Sequence, residues 1–475
     1  MRGPIRDAWF GLRGIGFGGS IRLGNGNGLG IGIGFGRGIG FGGGLRGSIG
    51  LGELTTMRLA DYTTLGLGGP AKRFVRATTI DELRDALRSA ARVSNDDHTS
   101  NEGRGSNEGR GSNEGRGSND DRGSNEGRGS NEGRASNTGS ASNRDRASND
   151  DRASDDHASN DDGASNDDRA PTYEPVLILG GGSNLVVRDG GFAGLVIHIA
   201  IDSVTIEDSG DHALVTANAG VVWDDFVAQM IDAGLSGVEC LSGIPGLVGA
   251  TPMQNVGAYG QEVADTITEV RVVDRETCEM ETFAPSACQF AYRSSVFRGS
   301  DRWVITSVTF RLPRSSSSAP IRYAELSKAL GITEGGTAPL RAVRDTVIAL
   351  RRGKGMVVDP ADPESRSAGS FFTNPIIDAE QLAAVRARVA ADVQMPTFSA
   401  ADGKTKLSAG WLIERAGFAK GTTRGNVGIS KKHALALVNR GGTTAELLAL
   451  AAEIQAGVRA AFGIELSPEP IIVGE

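Results

Sequence analysis

The sequence predicts an α+β fold, on three observations. Strand-like runs recur at 73–75, 175–179, 185–187, 195–197, 213–217, 269–273, 304–312 and 471–473. Helical patterns mark 80–92, 222–231, 343–350, 378–392, 408–416 and 443–463. The two kinds do not alternate strictly, as a doubly wound parallel sheet requires.

Ordered structure is expected from near Met57. A tight loop over Thr63–Pro70 leads into the strand Arg73-Phe74-Val75. Thr79-Ile80-Asp81-Glu82 has the form of a capping box, with Leu83 and Leu87 one turn apart behind it, so residues 80–92 form a helix. Pro175–Leu179 reads as a buried strand that runs into consecutive glycines, with further strands at Leu185–Val187 and Leu195–Ile197. After Arg314 a serine-rich linker precedes a helix with Val343, Val347 and Leu350 on one face, ending in Arg351-Arg352-Gly353-Lys354. Thr443 and Glu446 cap the last helix, whose stripe is Leu447, Leu450, Ile454, Val458 and Phe462 and whose stop is Gly463. The strand Ile471-Ile472-Val473 follows Pro468-Glu469-Pro470.

Two stretches lack the residues for a core. Residues 1–56 are a Gly/Ile/Phe/Arg tract, expected to be disordered because burial there does not offset glycine's backbone entropy. Its GxGxxG match, Gly42–Gly47, has neither a strand before it nor a helix after it and reads as chance. Residues 94–170 repeat a hexapeptide with nothing more apolar than alanine, a solvated insertion that widens one helix-to-strand loop at small entropic cost. Deleting 96–168 is expected to leave activity and melting temperature nearly unchanged.

Composition excludes several function classes. A net charge of -8 speaks against a nucleic-acid partner. The three cysteines, Cys240, Cys278 and Cys288, have no CxxC spacing, which fits a reducing compartment and offers no metal site. No apolar run approaches the roughly 18 residues that cross a bilayer. The chain is therefore expected to be cytoplasmic, without membrane insertion and monomeric.

Five places carry candidate chemistry. Gly180-Gly181-Gly182-Ser183-Asn184 after a strand is either a phosphate cradle of backbone N–H groups or a plain tight turn. Leu185 and the strand that follows rule out the Rossmann fingerprint. The loop Gly243-Ile244-Pro245-Gly246 through Gly249-Ala250, Gln254-Asn255 and Gly257-Ala258-Tyr259-Gly260 is rich in small residues. Its backbone can pack on a flat ligand, with Gln254 and Asn255 bonding the rim. Ser370 sits between Gly369 and Phe371-Phe372, with Asn374 and Pro375 beyond, a poorly solvated hydroxyl beside an apolar pair. Arg293, amid apolar residues, either faces an anion or lies on an edge strand. Glu469, between two prolines, is a rigidly held carboxylate or a loop residue. His433 reads as the solvated start of a helix and not as a ligand.

Together the Gly180–Asn184 and Gly243–Tyr259 loops, Cys288–Phe297, Ser367–Pro375, Ala409–Glu414 and Pro468–Pro470 resemble the UDP-N-acetylenolpyruvoylglucosamine reductase (MurB) family, type I branch. The motifs stand in the family's order and span residues 57–475 outside the repeat, which has no counterpart there. The resemblance implies a flavin-binding fold of the vanillyl-alcohol oxidase/PCMH type with a C-terminal α+β substrate-binding domain. It implies FAD, held by the two glycine-rich loops, and NADPH as reductant. The implied reaction takes UDP-N-acetylglucosamine enolpyruvate to UDP-N-acetylmuramate in peptidoglycan precursor synthesis, with hydride reaching the vinyl carbon from the flavin. Ser370 then matches the proton donor, Arg293 and Glu469 the groups that stabilise the enolate, and Tyr323, Lys354 and Asn374 the substrate contacts.

The implied division is a first FAD-binding subdomain over 57–202, a second over 203–314 and a connecting segment over 315–366. A substrate-binding domain follows over 367–464, with a returning strand over 465–475. Two other readings compete: an oxidase of the same fold, betrayed by oxygen-dependent turnover, and a non-catalytic binding protein, which needs no proton donor.

Overall fold

The computed structural model describes residues 57–99 and 174–475. The glycine tract and the hexapeptide repeat, with what was expected of them, lie outside the described residues.

β1 (Ala71–Ala77) is followed by α1 (Ile80–Thr99). Thr79 caps α1 by accepting the Glu82 N–H at 3.1 Å, but the Glu82 carboxylate reaches back to Thr78 N–H at 2.7 Å, one residue beyond the cap, so the box is not reciprocal. The helix continues to Thr99, past the expected end at 92. β2 (Val176–Leu179), β3 (Leu185–Val187) and β4 (Phe192–Ile199) come next. β4 runs parallel to both β1 and β2 at the centre of a three-stranded sheet. Leu83, Ala86, Leu87 and Ala90 of α1 pack on Leu195, Ile197 and Ile199 of β4, the i, i+3, i+4, i+7 stripe of a helix laid on a sheet.

β5 (Val204–Asp208) and β6 (His212–Asn218) lead to α2 (Trp223–Asp232), the short pair β7 (Gly257–Ala258) and β8 (Gln261–Glu262), then β9 (Ile267–Asp274), β10 (Met280–Phe283) and β11 (Trp303–Pro313). The long strands form an antiparallel sheet in the order β10-β9-β11-β6-β5. β6 alternates buried and half-exposed residues, as a sheet covered on one face requires. Trp223, Phe226, Val227 and Met230 of α2 supply that cover. Burying each such side chain contributes about 1.5–3 kcal/mol.

α3 (Ala324–Leu330) and α4 (Leu340–Gly353) bridge to the C-terminal part. There β12 (Ile376–Ile377), α5 (Ala379–Arg386), β13 (Thr397–Ser399), β14 (Thr405–Leu407), α6 (Ala409–Arg415), β15 (Thr423–Arg424), β16 (Val427–Ile429), β17 (Leu437–Asn439), α7 (Thr444–Phe462) and β18 (Ile471–Val473) follow. The capping box of α7 is complete: Thr443 Oγ accepts Glu446 N–H at 3.1 Å and Glu446 accepts Thr443 N–H at 2.8 Å. Gly463 ends the helix at φ +71°, where a side chain is strained. The expected stripe from Leu447 to Phe462 lies in one core with Phe371, Phe372, Leu65, Leu67 and Val186. β18 then pairs in parallel with β3.

Two expectations need correction. The helix expected over 378–392 ends at Arg386, because Arg388 and Val389 donate to the carbonyls of Val385 and Arg386 in tighter turns. His433 opens no helix: it sits in a turn whose Leu435 N–H donates to its Nδ1 at 3.0 Å, and burial pushes its pKa down to about 4.

Candidate active site

A cleft of about 330 Å³ gathers the glycine-rich loops and the segment around Ser370. Gly180–Asn184, directly after β2, lines it together with Ile244, Pro245, Gly246, Ala250, Gln254 and Gly257. Glycine is required here by contact. A Cβ on Gly182, at φ +59°, would stand 1.8 Å from the Tyr62 carbonyl oxygen, and one on Gly181 would meet Gly246 Cα at 3.0 Å. Ser183 Oγ donates to Pro245 O at 3.1 Å, which locks the two loops together. Asn184 Nδ2 donates to Gln254 Oε1 at 3.2 Å and approaches Glu469 O at 3.4 Å.

The other residues named in the second loop do different work. Gly249 lets its backbone lie against Ala219, whose Cβ would be 2.4 Å from an added Cβ. Asn255 is buried and spends its side chain on Glu262 Oε2, Ala291 O and Ala264 N–H, holding the turn instead of the rim. Gly243, Ala258 and Tyr259 stand outside the cleft lining.

Ser370, Arg293 and Glu469 all line the cleft. The backbone explains why. Glu469 N–H donates to Phe371 O at 2.9 Å and Thr373 N–H to Ser467 O at 3.0 Å, so the chain beyond Ser370 runs antiparallel to the segment carrying Glu469. Phe371 N–H is held by Leu435 O, and Thr64 Oγ donates to Ser367 O at 2.8 Å. Phe371 and Phe372 face the core, both 1 % exposed. They anchor the turn while Gly369, at φ +74°, reverses the chain before Ser370. Among the described residues, no hydrogen-bond partner holds the Ser370 hydroxyl.

Arg293 has φ +53°, which a non-glycine residue adopts at a cost of order 1–3 kcal/mol. A reciprocal backbone pair between Ala291 and Ser294 fixes this turn. The guanidinium donates to Gly257 O at 2.9 Å and stands 3.5 Å from Glu469 Oε1. Arg298 donates to the Arg293 carbonyl and braces it from behind. Burial raises the Glu469 pKa, against the pull of Arg293 and Arg298, so its carboxyl keeps a proton to higher pH than a solvated glutamate.

Sequence reasoning missed Arg351. It lines the cleft, donates to Gly243 O at 3.2 Å and Met356 O at 3.0 Å, and has no carboxylate at ion-pair distance among the described residues. Burial lowers its pKa to about 10. Asp224 and Tyr259 offset that burial only in part, so an anion in the cleft would find this guanidinium without a direct carboxylate partner. The signal was legible: Arg351 lies four residues beyond Val347, on the face that Val343 and Val347 bury.

The three residues expected to contact substrate lie apart from the cleft lining. Tyr323 caps the start of α3 with its ring edge-on to Tyr259, centroids 5.3 Å apart. Lys354 Nζ lies 2.7 Å from Glu325 Oε2 and 5.6 Å from the Tyr259 ring centre. Asn374 Oδ1 accepts Ala409 N–H at 2.9 Å, beside a second, more open cavity of about 500 Å³ that Arg293 and Arg298 also border. Among the described residues no His, Cys, Asp or Glu cluster suits a metal ion, and no helix is long and apolar enough to cross a membrane.

Comparison with known proteins gives the family. A family profile described as the C-terminal domain of UDP-N-acetylenolpyruvoylglucosamine reductase matches residues 360–473, and an FAD binding domain profile matches 170–283. The UDP-N-acetylenolpyruvoylglucosamine reductase of Thermobifida fusca is 46% identical over 422 residues, covering 88% of this chain and 96% of that protein. That of Streptomyces avermitilis is 52% identical over 307 residues, covering 63% and 83%. The solved UDP-N-acetylenolpyruvylglucosamine reductase of Thermus caldophilus shares the fold, with a TM-score of 0.50 at 21% identity over 88% of this chain and 98% of that one. The chain thus has an α+β fold with an FAD-binding domain, shared with that solved reductase, and it belongs to the UDP-N-acetylenolpyruvoylglucosamine reductase (MurB) family, FAD-binding oxidoreductases of peptidoglycan precursor synthesis.

Proposed function

We propose that this chain reduces UDP-N-acetylglucosamine enolpyruvate to UDP-N-acetylmuramate, with NADPH as reductant and FAD as resident cofactor, as a monomer in the cytoplasm. The observation that carries the reading is the backbone pairing of 371–373 with 467–469, which sets Ser370 beside Glu469 and Arg293. The division the resemblance implies would be one of function and not of core, since Leu65, Leu67 and Val186 pack with Phe371 and Leu447, and Val273 and Val304 pack with Leu83 and Ile197.

The cleft fits FAD. Gly180, Gly181, Gly182 and Gly246 offer closely packed backbone without side chains, and Arg351 offers a cation with no carboxylate at ion-pair distance among the described residues. These residues would hold the dinucleotide, and bound FAD supplies the hydride that NADPH provides and the vinyl carbon receives. The protein's own groups do the rest. Charge that develops toward the enolpyruvyl carboxylate meets Arg293, already fixed by Gly257 O and Glu469. A preorganised donor of this kind contributes roughly 3–4 kcal/mol. Glu469, protonated to higher pH than usual, serves as a hydrogen-bonded acid or orienting group. The Ser370 hydroxyl gives its proton to the adjacent carbon. So weak an acid suffices only because the acceptor is strongly basic and the geometry is fixed.

The test is optical. A yellow preparation should be bleached by NADPH and recoloured by UDP-N-acetylglucosamine enolpyruvate under anaerobic conditions. A colourless protein, or a bleached one that only oxygen recolours, would overturn the proposal.

A further inference from the structure

Lys354 does not line the cleft, although its neighbours Gly355 and Met356 do, and its ammonium is held by Glu325 instead. It sits at the end of α4 between two glycines, with Gly355 at φ +67°, a backbone that turns easily. Its ammonium meets Glu325 and stands over the Tyr259 ring, 5.6 Å from the ring centre. Glu325 lies two residues after Tyr323, in the first turn of the seven-residue α3. One carboxylate therefore ties together the two segments that carry Tyr323 and Lys354.

We infer that Glu325 is a positioning residue that holds Lys354 off the cleft until the substrate's diphosphate takes the ammonium from it. The inference rests on the substrate role of Lys354 in the reading above. The pair is built for exchange. Its side chains are 31% and 41% exposed, and a half-exposed ion pair is weakly held. A diphosphate offers more charge and more acceptors than one carboxylate. Tyr323, 43% exposed and resting only edge-on against Tyr259, is free to follow the same helix.

The test uses the FAD-loaded protein and two readouts. Removing the competing carboxylate in Glu325→Gln should lower KM for UDP-N-acetylglucosamine enolpyruvate by about three-fold, the size of a surface ion pair, with kcat and the KM for NADPH unchanged. The exposed Glu334→Gln serves as a control and should change neither. In a Lys354→Ala background the Glu325→Gln effect should vanish, because no ammonium remains to be released. A KM that stays constant or rises in Glu325→Gln, or an effect that survives Lys354→Ala, overturns the inference. Titration of UDP, read by calorimetry, gives the same comparison without turnover. A wild-type protein that does not turn over the enolpyruvyl substrate would fail the proposed function, and the UDP titration would still decide the role of Glu325.

Discussion

Two groups of residues line the cleft, and they make it by different means. Gly181, Gly182 and Gly246 shape it with backbone that is packed against Tyr62 and Ser183, so that no side chain can be added without moving the fold. Ser370, Arg293 and Glu469 shape it with side chains that few contacts hold, on a scaffold anchored by Phe371 and Phe372 in the core. The difference teaches where damage will appear. A change in the first group should cost folding and cofactor retention. One in the second should cost rate and leave the protein standing.

The largest effect is expected at Ser370. Ser370→Ala should lower turnover about 10²–10⁴-fold, the range for a lost proton donor, while the melting temperature moves by little. Arg293→Lys should follow, at about 10²–10³-fold in kcat, because an ammonium cannot keep both Gly257 O and the developing charge. A melting temperature that fell with the rate in either variant would erase the distinction between the two groups. Gly182→Ala tests the other side. Its Cβ would collide with Tyr62 O and its φ is left-handed, so a loss of at least about 2 kcal/mol and a protein purified without its yellow colour are expected. A stable, fully yellow variant would break the comparison.

The smallest effect is a pH dependence. Burial raises the Glu364 pKa, but bonds from Ser430 Oγ at 2.8 Å, Arg440 at 3.0 Å and Lys431 N–H outweigh it, so the folded value lies below the unfolded one. The stabilisation is then present above about pH 4.5, the unfolded value, and is lost as pH falls through the depressed one. Glu364→Gln should cost about 1–3 kcal/mol at pH 7 and flatten the acid side of the unfolding curve. Equal losses at pH 7 and pH 3.5 would contradict it.

Much of this was legible in the sequence, and the gaps have physical reasons. The long elements announce themselves: the α7 stripe from Leu447 to Phe462 and the runs at β4, β9 and β11 carry their own period. Strands of two or three residues, such as Ile376–Ile377 and Thr423–Arg424, have no period and exist because a distant partner bonds them. The glycine loops could be read because consecutive small residues have few other uses. Whether Asn255 faced a ligand or its own turn could not, since that depends on Glu262 and Ala291. Arg351 was visible as a cation on an apolar helix face and was taken for a helix end. The ion pair of Lys354 with Glu325 joins residues far apart in the chain, and no spacing rule foretells it.

The central claim is that Ser370 acts on the substrate and on nothing before it. Stopped-flow traces of the Ser370→Ala flavoprotein separate the two half-reactions. Bleaching by NADPH should proceed at nearly the wild-type rate, and recolouring by UDP-N-acetylglucosamine enolpyruvate should slow by at least about 10²-fold. Equal slowing of both half-reactions would contradict the account.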